Sequence, residues 1–177
     1  MGKPELDLIV VAGSPGSGKS TLCCELRTRW NVVPMIELSD LRNLHLDALW
    51  SNQSENDRAI AFDHLIYIVH SYAKHKWGPV LVTDLREEWV ARVDEVFADL
   101  SYAIITLFNS DAVIGRRIEG RNNGFTNVGA AVEWNRAVRN RRLLPREHHI
   151  DNSGPIAETA DRVEQILASF HEAELNV

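Results

Sequence analysis

The side chains best suited to chemistry form a glycine-rich stretch near the amino terminus, which fills every fixed position of the phosphate-binding pattern G-x-x-x-x-G-K-[ST]. Its residues, with the one that follows them, are Gly13, Ser14, Pro15, Gly16, Ser17, Gly18, Lys19, Ser20 and Thr21. Glycines permit a tight turn whose backbone N–H groups face phosphate oxygens, and a helix that begins there adds the positive end of its dipole. Lys19 can reach the β- and γ-phosphates, and the Ser20 hydroxyl can ligate Mg²⁺. The stretch therefore predicts a binding site for a nucleoside triphosphate and Mg²⁺.

A second group of charged residues follows the apolar segment Val80–Thr83, which ends at Asp84 and leads to Arg86. An acidic residue at the end of an apolar strand is the Walker B arrangement. Its carboxylate can hold Mg²⁺ opposite Ser20, or accept a proton from the attacking group. Arg86 would lie at the same rim and can bind an anion of the phosphate acceptor. The alternative interpretation is that Asp84 caps a helix starting near Glu87.

Asp40 and Arg42 occupy a similar place after the apolar segment Val32–Leu38. Such an Asp can activate an acceptor hydroxyl, and a nearby Arg can orient it. Asp40 can equally cap a helix over residues 41–50, whose apolar side chains belong either to the core or to an acceptor pocket. The choice of general base between Asp40 and Asp84 stays open at this point.

An arginine-rich segment stands out in a chain whose formal net charge is −6. Its members are Arg116, Arg117, Arg121, Arg136, Arg139, Arg141, Arg142 and Arg146, opposed only by Glu119 and Glu133. Arg117 and Arg121 are four residues apart and share one helix face. The Asn- and Gly-rich residues 122–127 then interrupt the helix. Arginines beside a flexible segment predict a lid, approximately residues 116–142, that closes over phosphates. A plain helical hairpin is the alternative.

The scaffold predicted for these residues alternates strands with helices. The predicted strands are Leu6–Ala12, Val32–Leu38, Val80–Thr83, Tyr102–Phe108 and His148–Asp151. The predicted helices are Lys19–Trp30, Asn56–Trp77, Glu87–Leu100, Asp111–Arg121, Gly129–Leu143 and Ile156–Glu174. This alternation predicts an α/β fold with a parallel sheet and right-handed crossovers. Ligands of such sheets bind at the carboxyl ends of the strands, where the candidate residues lie.

Composition narrows the possible classes. A length of 177 residues suits one domain, and no run of 18 apolar residues predicts a membrane span. The acidic net charge disfavours a general nucleic-acid binder. Cys23 and Cys24 are neighbours on one predicted helix and cannot link distant segments, which predicts a reducing, cytoplasmic environment.

The chain resembles the small P-loop kinases in several stretches taken together. They are the glycine-rich stretch, Asp40-Leu41-Arg42, Thr83-Asp84-Leu85-Arg86 and the later arginines. These kinases include nucleoside and nucleotide kinases, shikimate- and gluconate-type kinases, and polynucleotide 5′-hydroxyl kinases. The resemblance implies a single P-loop NTPase domain over residues 1–177, with a five-stranded parallel sheet in the order 2-3-1-4-5, flanking helices and a lid. It further implies that Arg117 and Arg121 are lid-helix arginines, that Arg117 contacts the nucleotide, and that Asn152 lies near the adenine.

The resemblance implies an ATP- and Mg²⁺-dependent phosphotransferase that acts on a small acceptor, most simply a nucleotide, a nucleoside or a similar metabolite. The catalytic residues it implies are Lys19, Asp40, Asp84, Arg86, Arg117 and Arg121. A 5′-hydroxyl polynucleotide kinase stays open, although Ser39 stands where those enzymes carry the first Asp of an Asp-Asp-x-Arg motif. A nucleotide-binding switch without an acceptor also stays open. The acceptor, the preference for ATP over GTP and the oligomeric state have no signature in the sequence.

Overall fold

A single parallel sheet organises the chain in the computed structural model, which describes residues 3–44, 54–121 and 124–174. Its strands are β1 (Leu8–Gly13), β2 (Met35–Glu37), β3 (Val80–Thr83), β4 (Tyr102–Phe108) and β5 (Glu147–Asp151). Their spatial order is β2-β3-β1-β4-β5, and every neighbouring pair is parallel. The predicted α/β fold and strand order are confirmed. The order reverses beside β1, so the loop after β1 lies at the point where ligands bind in such sheets.

Helices cover both faces of the sheet. They are α1 (Lys19–Trp30), α2 (Leu38–Asn43), α3 (Glu55–Lys74), α4 (Glu87–Val90), α5 (Val93–Val96), α6 (Asp111–Glu119), α7 (Val128–Asn140) and α8 (Ile156–Glu174). The helix predicted over 41–50 overlaps α2, which ends at Asn43 with Leu44 as its C-cap. Residues 45–53 lie outside the described part of the chain. No helix of the described residues has the length and apolar character that crossing a membrane requires.

The core forms two layers because successive strand residues point to opposite faces of the sheet. Ile9 and Val11 of β1 pack in one layer, and Leu8 and Val10 pack in the other. The first layer is completed by Leu22 and Leu26 of α1 and by Val163 and Leu167 of α8. The second is completed by Phe62, Leu65 and Val69 of α3, by Val90 of α4 and by Val93 of α5. Helix packing on both faces fixes β1, and with it the loop that β1 carries.

Strand β2 is shorter than predicted, because it begins at Met35 and not at Val32. Asn31 and Val32 have φ values of 49° and 63°, which place both in the left-handed region after α1. Pro34 has no N–H to donate to a sheet. Its carbonyl accepts a hydrogen bond from the Leu81 N–H at 2.8 Å, so pairing with β3 starts only there.

The helix predicted over Glu87–Leu100 is divided into α4 and α5, which are separated by a turn at residues 91–92. Val90, Val93 and Phe97 are all buried in the same core layer. Their spacing of three and four residues is that of a helix, and successive short turns satisfy the same spacing. Periodicity therefore predicts correctly which side chains face the core, but not the continuity of the backbone hydrogen bonds.

A buried ion pair ties the last strand to the acidic start of α4. Arg141 donates two hydrogen bonds of 2.6 Å to the buried Glu147 carboxylate, and a third of 3.0 Å to Glu87. The Leu144 N–H and the Thr106 hydroxyl also donate to Glu147. Burial alone would raise the pKa of Glu147. The hydrogen bonds from Arg141, Leu144 and Thr106 outweigh that effect, and the pKa lies below its ordinary value.

Replacement of Glu147 by Gln is expected to lower the free energy of unfolding by about 2 kcal/mol at neutral pH, because the carboxylate is more stable in the folded chain. A lowered pKa stabilises the folded chain fully at pH values above the ordinary carboxyl pKa of 4.5. This stabilisation is lost as the pH falls through the pKa of Glu147 in the folded chain. Urea unfolding between pH 7 and pH 3.5 would measure the difference in free energy of unfolding between the wild type and the variant. That difference should become smaller as the pH is lowered. Glu119→Gln, at an exposed site, is the control. A difference that stays constant with pH would contradict this account.

Candidate active site

Close packing fixes the path of the glycine-rich loop between β1 and α1. Gly13 has a φ of 131°, and a Cβ atom on it would lie 2.3 Å from the Leu107 carbonyl oxygen. Gly18 has a φ of 99°, and a Cβ atom there would lie 2.4 Å from the Asn152 Nδ2 atom. Both positions therefore accept only glycine without displacement of their neighbours. The loop between them is held with its backbone at the carboxyl end of β1.

Lys19 folds back over this loop. Its Nζ donates hydrogen bonds to the carbonyl oxygens of Gly13 at 2.9 Å and Ser14 at 3.1 Å. Burial lowers the pKa of Lys19, the negative charge of Asp84 opposes that effect, and Arg121 adds to it. The ammonium group is thus a partly buried charge held against the loop. Such a charge is stabilised by an arriving phosphate.

The donor set of the loop fits a polyphosphate and Mg²⁺. The hydroxyls of Ser14 and Ser17 are buried, and neither has a hydrogen-bond partner among the described residues. Buried polar atoms without partners are rare, and here they belong to the segment whose pattern predicts phosphate binding. Ser20 and Asp84 supply the oxygen ligands that Mg²⁺ prefers.

Behind the loop lies a buried amide network that the sequence did not reveal. Asn109 and Asn152 both donate to the Ser17 carbonyl oxygen, at 3.2 and 2.7 Å. The Asn135 side-chain amide accepts a hydrogen bond from the Asn109 N–H and donates one to the Asn109 carbonyl oxygen. The Thr159 hydroxyl donates to Asn152 at 2.7 Å. The loop is therefore anchored to β4, β5, α7 and α8. The available signal was that Asn109 directly follows an apolar strand; β5, which precedes Asn152, is mostly polar and gave no such signal.

Arg117 belongs to this network. Its guanidinium donates to the carbonyl oxygens of Gly16, Ser17 and Asn152, and to Asn109 Oδ1, at 3.1 to 3.3 Å. Burial lowers the pKa of Arg117, and the neighbouring positive charge of Arg116 lowers it further. Arg117 therefore joins α6 to the phosphate-binding loop, whereas Arg121, two residues beyond the end of α6, is exposed.

A cavity of about 1020 Å³, called here the central cleft, extends from the loop across the carboxyl ends of β2 and β3. Its lining residues are Gly13, Pro15, Gly16, Gly18, Lys19, Ser20, Thr21, Glu37, Ser39, Arg42, Asn43, Arg58, Asp84, Leu85, Arg86, Arg121, Gly124, Phe125 and Trp134. A second cavity of about 400 Å³ opens on the other side of the loop, beside Arg117, Arg121, Asn152 and Ile156. The two cavities meet at Gly16, Gly18, Thr21 and Arg121, which line both.

Asp84 enters the central cleft from a strained backbone. Its φ is 67°, in the left-handed region, where Asp and Asn are tolerated better than other residues with a side chain. Thr83, which precedes it, pairs with Val11 of β1. Asp84 is therefore held beside the phosphate-binding loop. Arg86 follows on the same rim and pairs with Glu88 at 3.1 Å.

The central cleft brings together Lys19, Ser20, Asp84, Arg86 and Arg121 of the predicted site residues. Arg117 and Asn152 line the second cavity. Asp40 stands apart, because it is exposed on α2 and does not line the central cleft. Its role as a base stays a prediction.

Glu37 occupies the place in the central cleft that the sequence suggested for Asp40. Sequence reasoning missed Glu37 because the second strand was taken to run on to Leu38. The strand in fact ends at Glu37, and α2 starts at Leu38. A carboxylate at the carboxyl end of a strand is the signal that would have identified it.

The predicted lid corresponds to the end of α6, the connection to α7, and α7 itself. Phe125 and Trp134 from this part of the chain line the central cleft. The Trp134 indole donates to Glu87 at 3.3 Å, so α7 contacts the acidic start of α4. Asn122 and Asn123 of the predicted flexible segment lie outside the described residues.

Known proteins resemble the chain over most of its length. A family model described as "AAA domain" matches residues 9–150. A gluconokinase from Sinorhizobium meliloti 1021 superposes with a TM-score of 0.71 and 21% identity, covering 98% of each chain. A sugar kinase from Janibacter sp. HTCC2649 gives 0.65 and 17%, covering 91% of this chain and 94% of the other. A thymidylate kinase from Candida albicans gives 0.58 and 14%, covering 93% and 92%. The sequence matches no curated protein.

Proposed function

The chain belongs to the AAA domain family, and we propose that it is an ATP-dependent kinase that phosphorylates a small acceptor such as a nucleotide, a nucleoside or a similar metabolite. The central cleft carries this proposal. It joins the phosphate-binding loop to a space lined by Glu37, Arg42, Arg58, Asp84 and Arg86. Its volume of about 1020 Å³ is at the upper end of the range for ligand pockets. The structures it resembles include kinases of quite different acceptors.

The transfer step assigns a role to each group. An acceptor oxygen forms a bond to the γ-phosphorus, and the bond from that phosphorus to the β–γ bridging oxygen breaks, so the electron pair leaves with ADP. Where the acceptor is a hydroxyl, its proton passes to Asp84. Lys19 and the loop N–H groups hold the β- and γ-phosphates, while Arg121 offsets negative charge on the moving group. Most of the rate enhancement comes from positioning and electrostatics.

Ser20 and Asp84 are the residues that would hold Mg²⁺, which when bound neutralises phosphate charge. Asp84 is favoured over Asp40 as the proton acceptor because it lines the central cleft and Asp40 does not. Glu37 is the other carboxylate there, and it replaces Asp40 as the candidate to test against Asp84. Arg117 acts as a positioning residue, because it holds the carbonyl oxygens of the loop.

Two other functions remain candidates. A 5′-hydroxyl polynucleotide kinase would use the same transfer step, and the arginines at the central cleft favour it, whereas the net charge of −6 opposes it. A nucleotide-binding switch would need the loop but not the carboxylate and arginine groups around the cleft. Those groups favour a second substrate.

An acceptor panel tests the proposal directly. Purified protein with Mg²⁺ and ATP would be incubated with nucleoside monophosphates, nucleosides, sugar acids, neutral sugars and a 5′-hydroxyl oligonucleotide. Mass spectrometry would measure ADP and the phosphorylated product together. Product well above the ADP released by hydrolysis in water is expected with a small acceptor. Product only with the oligonucleotide would support the second candidate, and tight ATP binding without any product would support the switch.

A further inference from the structure

Three arginines reach the central cleft from three separate elements on the β3 side of β1. Arg42 comes from α2, Arg58 from α3, and Arg86 from the loop between β3 and α4. Their positions are far apart in sequence, so no single helix periodicity brings them together. The fold does so, in the one cleft that all three side chains line.

Surface carboxylates hold two of these arginines from outside. Arg58 pairs with Glu55, and Arg86 pairs with Glu88. Each carboxylate is more exposed than its arginine, at 83% against 25% for the first pair and 58% against 44% for the second. Neither Glu55 nor Glu88 lines the cleft. The pairs therefore orient the guanidinium groups at the rim without occupying the cleft.

The positive charges act on one another across this space. Burial lowers the pKa of Arg42, Asp84 opposes that effect, and the charges of Arg58 and Arg86 lower it further. An anion placed among the three guanidinium groups would relieve their mutual repulsion. Guanidinium groups suit this role because their planar donors match the oxygens of carboxylate and phosphate groups in pairs.

We propose that Arg42, Arg58 and Arg86 form the binding site for an anionic group, a carboxylate or a phosphate, on the acceptor of the kinase reaction. This rests on the proposed function, because it concerns the second substrate of the same cleft. The anion is held at the arginines, so the reactive oxygen of the acceptor points toward Asp84 and Lys19. Phe125 and Trp134 supply an aromatic wall for the uncharged part of the molecule. Neutral sugars and free nucleosides lack the group that the site recognises.

Equilibrium binding to the full chain, in the presence of Mg²⁺ and ADP, separates this inference from catalysis. Two matched pairs of probes are used, gluconate against glucose and thymidine monophosphate against thymidine, so that one pair reports a carboxylate and the other a phosphate. At least one anionic probe is expected to bind about tenfold or more tightly than its neutral partner, and more weakly as salt concentration rises. This comparison on the wild-type protein needs no variant to fold.

Charge-removing variants then test the three residues. Arg42→Met, Arg58→Met and Arg86→Met are each expected to weaken binding of the preferred anion by roughly 10- to 100-fold, since each removes charge-assisted hydrogen bonds. ATP affinity should change little in all three. Arg139→Met, at an exposed position of α7 outside the cleft, is the matched control and should bind the anion as the wild type does.

The outcomes separate the two proposals. Anion binding that depends on the arginines, without phosphoryl transfer, would sustain the anion site and remove the kinase function. Transfer to a neutral acceptor, unaffected by the three variants, would sustain the kinase and overturn the anion site. Intact ATP binding with no affinity for either anionic probe would also overturn it.

Discussion

Replacement of Lys19 by Met should lower kcat/KM for phosphoryl transfer by about a thousandfold or more, which corresponds to roughly 4 kcal/mol of lost transition-state stabilisation. Lys19 carries a partly buried positive charge against the phosphate-binding loop, and its Nζ donates hydrogen bonds to the Gly13 and Ser14 carbonyl oxygens. Methionine keeps most of the length and volume of the side chain but has no charge. The measurement is initial velocity with saturating Mg²⁺ and the acceptor identified by the panel.

The control for this variant separates a lost charge from a lost fold. Lys74→Met, in the exposed last turn of α3, removes the same charge away from the cleft and should leave kcat/KM unchanged. Thermal unfolding of Lys19→Met should match the wild type or shift slightly upward, because the burial of an ammonium group disfavours its charged form. Transfer by Lys19→Met at the wild-type rate would refute the assignment of the loop as the phosphate site.

Asp84→Asn is expected to reduce kcat by roughly 100- to 1000-fold, the second largest effect, because one substitution removes both a Mg²⁺ ligand and the proposed proton acceptor. Asparagine is the informative replacement here, because it tolerates the left-handed backbone that Asp84 adopts at a φ of 67°. Alanine would add backbone strain of order 1 kcal/mol or more to any lost chemistry. The concentration of Mg²⁺ needed for half-maximal activity should rise in the Asn variant, while binding of ATP without Mg²⁺ should not weaken.

Two further carboxylates make the Asp84 result interpretable. Asp63→Asn, at an exposed site on α3, is the matched control and should behave as wild type. Glu37→Gln and Asp40→Asn test the other candidates for the base. Near-normal turnover in Asp84→Asn, combined with a large loss in Glu37→Gln, would move the proton-accepting role to Glu37. The same loss in Asp40→Asn instead would assign the role to Asp40, the other carboxylate that the sequence left open beside Asp84.

The sequence predicted those parts of the site whose function requires a fixed local pattern. The phosphate-binding loop needs glycines and a lysine at set spacings, so its nine residues could be identified from the chain alone. Asp84 was identifiable because an acidic residue after an apolar run marks the carboxyl end of a strand. Arg58 was not identifiable, because it is one charged residue on a long amphipathic helix. Only the packing of α3 against α2 and the sheet shows that it reaches the cleft.

The remaining differences have the same origin. Asn135 lies at a buried position of α7, where the periodicity calls for an apolar residue, and its purpose becomes visible only when its bonds to Asn109 are seen. Glu37 was passed over because the end of β2 was placed one residue too late. The break between α4 and α5 leaves the apolar spacing unchanged, so no pattern of side chains could reveal it. These features depend on contacts between residues that are far apart in the chain, and the local pattern of a single sequence carries little information about such contacts.

The sheet order carries a consequence for how such a protein can diversify. Since β1 lies between β3 and β4, the elements from β2 through α5 form one uninterrupted stretch of chain on the β3 side. That stretch contributes Arg42, Arg58, Asp84 and Arg86, whereas the loop that binds phosphate precedes it. A chimaera that exchanges this stretch for its counterpart in a related kinase needs only two backbone junctions, one after α1 and one before β4. Recombination of one internal segment can therefore change these charged residues of the cleft while the glycine-rich loop is inherited unchanged.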